Sequence, residues 1–214
     1  MTQKLQDTAY RIGWQIVEGP DQIEEQKKKE CILHCAATLF ADKGYAGTSV
    51  REIVEAAGVT KPTLYYYFKN KEDLYLQLMD SAMNTFFATV EESLVVSGTA
   101  CDRLTALFIN IWNLSRSNVE LLRLVNAMVY GPRGAMPLYD LYPRHLRLEH
   151  IMANMLTGNG EIPVERIRPL MLLLFGLLRS MQSALVIDHL KDSFTPEDIA
   201  GAIRIILQGA QTEV

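Results

Sequence analysis

The side chains able to do chemistry fall into no catalytic spacing. Four histidines lie scattered without metal-ligand intervals, and three cysteines form no CxxC pair. No GxSxG, GxGxxG, phosphate-loop or HExxH stretch occurs. No residue is therefore assigned a catalytic or metal-binding role, no enzyme is expected, and no cofactor is called for. What the sequence does offer is hydrogen-bonding chemistry in one short run, "TKPTLYYYFKNK", Thr60 to Lys71. At about 100° per residue on an α-helix, Leu64 and Phe68 share a face while Tyr65, Tyr66 and Tyr67 fan around the rest. Tyr66 points nearly opposite the core face, so it either leaves a large ring in water or has a partner outside the fold.

The elements that must position this run read as helices. From residue 21 to 43, Ile32, Cys35, Ala36, Leu39 and Phe40 recur at spacings of three and four, and Gly44 closes the segment. Ser49 with Glu52 makes a capping box for a short helix carrying Val50, Ile53 and Ala57 and ending at Gly58. Thr60 caps a third helix, where Pro62 is tolerated because first-turn N–H groups have no intrahelical acceptor. Asn70 with Asp73 opens a long fourth helix toward Gly98. This order is helix-turn-helix arithmetic. In that motif the second helix enters the major groove with its N-terminal residues against base edges. Leu64 and Phe68 then anchor, while Thr60, Lys61, Thr63 and the tyrosines meet phosphates or bases, and Pro62 or a threonine methyl touches a thymine methyl. The bland alternative is a tyrosine-rich turn packed on another domain.

The stretch from Cys31 to Leu74, "CILHCAATLFADKGYAGTSVREIVEAAGVTKPTLYYYFKNKEDL", resembles the N-terminal DNA-binding domain of TetR-type transcriptional regulators. An apolar helix ending in "LFADKGY", the "TSVREIVEAAGV" helix and turn, and "TLYYYFKNKEDL" recur there in order. The resemblance implies that Thr48 and Ser49 touch a phosphate at a helix N-terminus. It places Thr60, Lys61, Pro62, Thr63 and Tyr66 where the family reads the groove, and Tyr65 and Lys71 on the phosphate backbone. Tyr67 stands where the family often has histidine, so its phosphate contact is the departure.

Composition sets limits on the rest. The chain has 214 residues, 49% hydrophobic and 21% charged, enough for a substantial core, and its net charge of -4 does not advertise nucleic acid. The start, "MTQKLQDTAYRIGWQ", has no apolar block, and the run "PLMLLLFGLL" stops at Arg179, short of a bilayer span. A cytoplasmic protein with no membrane partner is the expectation. Cys31 and Cys35, four apart, read either as small buried hydrophobes or as an oxidant-sensing pair. Lys27 to Lys29 read as a solvated face or as a phosphate-contacting arm, with residues 1–20 as its lead-in.

Beyond residue 98, helices are predicted at about 99–116, 118–130, 137–157, 163–190 and 196–212. The helix from Pro163 to Leu190 has Ile167, Met171, Leu174, Leu178 and Met181 on one line, continuing to Leu185, and Leu170, Leu173 and Leu177 on another. It is buried twice. One side meets its own domain and the other a twin subunit, with Ile199, Ile203, Ile206 and Leu207 of the last helix completing a four-helix interface. Dimerisation follows from the DNA side as well, because two dyad-related recognition helices read both halves of a palindrome. Candidates for a small-molecule pocket are Phe108, Trp112, Asn126, Tyr130, Tyr139, Tyr142, His145, His150, Met152, Phe175, Arg179 and Gln182. Arg179 pairs with a carboxylate across the dimer or with an anionic effector.

The fold expected is thus all-α: an extension over 1–20, a three-helix helix-turn-helix domain over 21–72, and a helical bundle over 73–214 for ligand binding and dimerisation. The function expected first is a ligand-responsive repressor, dimeric on a palindromic operator and released by an apolar or amphipathic effector. A DNA-binding protein with a structural or cell-division role comes second, and a helical small-molecule-binding enzyme third.

Overall fold

Several helices begin or end where a side chain or a glycine satisfies the backbone groups that a helix terminus leaves open. The computed structural model describes residues 20–131, 134–157, 162–187, 190 and 193–211. The expected N-terminal extension lies, up to position 19, outside the described residues. Helix α1 spans Pro20–Gly47 but breaks at Gly44, whose φ of 75° and ψ of 163° are not helical. Helix α2, Val50–Ala57, opens on the Ser49–Glu52 capping box and closes on Gly58, left-handed at φ 64°. Helix α3, Lys61–Tyr67, is capped by Thr60, whose hydroxyl accepts from the Thr63 amide. Helix α4 is Lys71–Leu94. Helices α5 (Ala100–Ser117), α6 (Val119–Tyr130), α7 (Tyr142–Thr157), α8 (Val164–Val186) and α9 (Pro196–Gln211) follow, and no strand appears among the described residues.

Two boundaries differ from expectation. Helix α7 begins at Tyr142 rather than 137, because Pro143 is compatible only with a helix's first turn. Asp140 accepts from the Tyr142 amide at 3.0 Å and so caps that start. Helix α8 ends at Val186 rather than 190, and Ile187 is already extended at φ -96° and ψ 110°. At 23 residues, α8 is long and apolar enough by composition to cross a membrane, although the apolar run alone had read as too short. Its Leu170, Met171, Leu174, Leu178, Met181, Ala184 and Leu185 are buried within the protein.

The chain divides into two units, one holding residues up to Thr85 with Glu120–Tyr139, the other Phe86–Val119 with residues from Asp140 onward. The first has a core of Ile32, Leu33, Ala36, Ala37 and Phe40 from α1, Ile53 and Val54 from α2, Leu64 and Phe68, and Leu74, Tyr75, Leu78 and Met79 from α4, with Leu124 from α6. In the second, α8 packs against α5, α7 and α9.

That packing sets most of the expected interface residues inside their own unit. Met171, Leu174, Leu178, Met181 and Leu185 of α8 and Ile199, Ile203 and Leu207 of α9 are buried in their own unit, and only Ile167 and Ile206 are half-exposed. Residues so enclosed have little surface of their own to offer a second chain. Apolar side chains facing outward include Val164, Leu172, 75% exposed, and Leu173 on α8 and Ile205, 72% exposed, on α9.

Candidate nucleic-acid interface

The short helix α3 is fixed from behind and open in front. Leu64 and Phe68 are fully buried, four residues apart, and they hold one face of a two-turn helix that has little stability of its own. At its N-terminus the Thr60 and Thr63 hydroxyls lie 2.9 Å apart. The opposite face presents Lys61, Pro62, Tyr65 and Tyr66, all exposed, with Tyr66 at 72%. Thr63 and Tyr67 are half-buried. The Tyr66 and Tyr67 rings meet edge to face at 5.0 Å, which restricts how Tyr66 swings. The Glu25 carboxylate beside it raises the Tyr66 phenol above its ordinary range, so at neutral pH it remains a hydroxyl, able to donate as well as accept. The opening tyrosines therefore form a surface of donors and rings carried on a buried Leu–Phe anchor.

Around this face the structure redistributes several expected roles. Thr48 is buried, and its hydroxyl lies 3.0 Å from the Leu39 carbonyl and 2.9 Å from that of Gly44. It braces the broken end of α1 instead of presenting its side chain to phosphate. The Ser49 amide and hydroxyl both donate to Glu52 at 2.8 Å. An anion at the start of α2 would have to compete with that carboxylate. Glu52 in turn receives the Lys43 ammonium at 2.6 Å. The Lys43 and Ser49 bonds lower its pKa from 4.5 to about 2, so it is a fixed negative charge at neutral pH.

Lys71 opens α4, as expected, and is also bonded within the domain. Its ammonium donates to the carbonyls of Tyr45 and Thr48, both at 2.9 Å, and sits 4.2 Å from the Tyr45 ring centroid. Two of its three N–H bonds thus close the turn between α1 and α2, leaving one for a phosphate. Tyr45 and Lys43 are parts of this scaffold that sequence reasoning missed. No local signal marks them, because their partners lie 26 and 9 positions away. In the lysine triplet, Lys28 pairs with Glu24 on its own helix at 2.8 Å, as a solvated face does, and Lys29 lies 5.8 Å from the Phe68 ring. Burial pushes the Cys35 thiol up to about 11, which keeps it a neutral thiol, and Cys31 Sγ lies 3.8 Å from the Ala57 carbonyl.

The pocket candidates are divided between the two units. Asn126, Tyr130 and Tyr139 belong to the first unit, where Tyr130 is exposed and Tyr139 donates to Asp80 at 2.7 Å. In the second unit Phe108, Trp112 and Met152 are buried, Phe175, Arg179 and Gln182 half-buried, and Tyr142, His145 and His150 exposed. His145 lies against Phe175 with ring centroids 4.9 Å apart, and His150 meets Asn154 at 3.1 Å. A cavity of about 230 Å³ opens elsewhere in this unit, lined by Thr99, Ala100, Cys101, Ile162, Arg204, Leu207 and Gln208, none of them a candidate. Trp112 carries the one buried side-chain polar atom, Nε1, without a hydrogen-bond partner among the described residues. An unmet buried donor costs about 1–3 kcal/mol.

Residues 32–78, which include the capped α3 and its anchors, match the family described as bacterial regulatory proteins, tetR family. The chain has the tetR-family DNA-binding domain. The HTH-type transcriptional repressor KstR2 of Mycolicibacterium smegmatis is 32% identical over 81 residues, 38% of this chain and 40% of that one. The fatty acid metabolism regulator protein of Bacillus subtilis is 28% identical over 123 residues, 50% of this chain and 63% of that one. The match therefore spans less than two thirds of either relative's length. In fold, the chain is similar to the fatty acid degradation regulator FadR of Bacillus halodurans, with a TM-score of 0.64 at 19% identity, covering 92% of this chain and 97% of that one. That likeness is one of fold, and it extends well beyond residues 32–78.

Proposed function

We propose that this chain is a ligand-responsive transcriptional repressor that binds a palindromic DNA operator as a homodimer and leaves it when a small molecule binds the second unit. The observation that carries the reading is the exposed row of Lys61, Pro62, Tyr65 and Tyr66 on a capped helix anchored by buried Leu64 and Phe68. A helix so held can enter a major groove without rearranging its back face. Tyr65 and the remaining N–H of Lys71 hold phosphates, while Thr63 and Tyr66 face base edges. The outward Leu172, Leu173 and Ile205 support a second copy packed across α8 and α9.

The effector is apolar and acyl in character. A relative and a structural neighbour are named for fatty acid metabolism or degradation, and the second unit's core is built of aliphatic, methionine and aromatic side chains. Release requires that the ligand favour a state unable to bind DNA, and its effect is bounded by its differential affinity for the two states. Helix α4 carries residues of both units, and its second part is tied to α5 by Asn110 donating to Ser93 at 3.0 Å and to α7 by the Arg147–Glu91 pair. Selection from a random duplex pool tests the proposal: enrichment of a palindrome supports it, and an unenriched pool removes its main support.

A further inference from the structure

Trp112 stands out in the second unit because it is 1% exposed and its indole N–H meets no acceptor among the described residues. An indole nitrogen only donates. Buried donors in native proteins are met by protein, ordered water or a ligand, and a persistent exception marks a place where one of these belongs. The surroundings favour a chain-like molecule over water. Phe108 and Ile111 on the same helix are buried and apolar. Phe194, half-buried in the segment before α9, sets its ring edge-on to the indole at 6.3 Å and 89°. On the outer side the exposed Arg116 lies 5.9 Å from the indole ring. Water needs two to four polar partners, which phenyl and alkyl groups do not supply.

We infer that Trp112 Nε1 donates to the acyl carbonyl oxygen of the effector, whose hydrocarbon chain enters where Phe194 now lies. The inference rests on the effector reading above and adds the recognising atom. A donor-only N–H selects an oxygen lone pair, and the apolar wall selects the chain. A site built around one hydrogen bond rejects an analogue lacking the acceptor far more strongly than one lacking a methylene. Phe194 is the displaceable piece, being aromatic, half-exposed and outside any helix.

The test uses the full chain with Trp14→Phe, which leaves Trp112 as the sole tryptophan of two. Its emission is followed while oleoyl-CoA, oleate and 1-octadecene are added, the first two distinguishing a thioester from a free acid. A saturable change with an acyl compound and none with the hydrocarbon is expected. In a second arm, Trp112→Phe removes the N–H and keeps a ring; the calorimetric Kd for the binding acyl compound should rise about tenfold, about 1.4 kcal/mol. Phe194→Ala should lower that Kd by opening the entrance. Equal binding of 1-octadecene, an unchanged Kd in Trp112→Phe, or no binding of either acyl compound overturns the inference. These readouts contain no DNA, so failure to enrich a palindrome would remove the repressor reading while leaving this one standing.

Discussion

Glu52 shows how much a single carboxylate carries in this domain. It closes the α2 capping box and accepts from Lys43, and its folded-state pKa of about 2 lies below its ordinary 4.5. A depressed carboxylate contributes stability that is complete above its unfolded value and lost as pH falls through the folded one. Thermal melts between pH 5 and pH 2 should therefore lose stability progressively, and Glu52→Gln should flatten that dependence while lowering the melting temperature at pH 7. A variant with the wild-type slope would assign the acid sensitivity to other groups. Lys71 is the second residue with two duties. Because it bonds two backbone carbonyls, Lys71→Ala should cost about 1.5–3 kcal/mol of stability, as hydrogen bonds to charged groups do, besides weakening all duplex sequences alike. Denaturant melts separate the two effects, since a pure phosphate contact would leave stability unchanged.

At the scale of the element, α3 depends on the turn before it. Gly58 is left-handed, and a Cβ there would meet nothing within 4 Å. Gly58→Ala should thus cost only the backbone term, about 1–2 kcal/mol, with no clash to relieve. Thr60→Ala removes the acceptor for the Thr63 amide and should cost about 1 kcal/mol. Both should reduce operator affinity in proportion to lost helix order, whereas Tyr66→Ala should leave stability alone and change which bases are preferred. Chemical denaturation beside a selected-duplex binding assay checks all three. A Thr60→Ala protein with full stability would mean that buried Leu64 and Phe68 hold the helix unaided.

For the whole molecule, the two faces of α8 make opposite predictions. Leu174 is fully buried, so Leu174→Ala should lower protomer stability by about 2–5 kcal/mol. Leu172→Glu or Ile205→Glu touches an outward side chain and should leave a folded monomer by light scattering. A dimer that survives both glutamates would place the interface away from α8 and α9. Operator affinity should fall steeply with salt and should be lost with the dimer, because two linked half-sites are needed for tight binding.

The sequence by itself determined the local structure of this protein. Ser49 and Glu52, Gly58, and Thr60 with Thr63 interact over three or four positions, so their spacing alone dictates caps and turns, and the period of Leu64 and Phe68 alone puts Tyr66 outside. It also carried the DNA-binding domain, because that motif is a fixed order of such local signals. Pro143 escaped only in its consequence for where α7 starts. What the tertiary structure decided lies at longer separation. Periodicity gave α8 two apolar lines, but only its packing against α5, α7 and α9 settled that the line through Leu174 is internal and that Leu172 faces out. Lys71 closes on Tyr45, 26 positions away, and Phe194 covers Trp112 from a distant segment. A helix's repeat states which residues share a face; which face meets which neighbour depends on the energies of all the helices packed together.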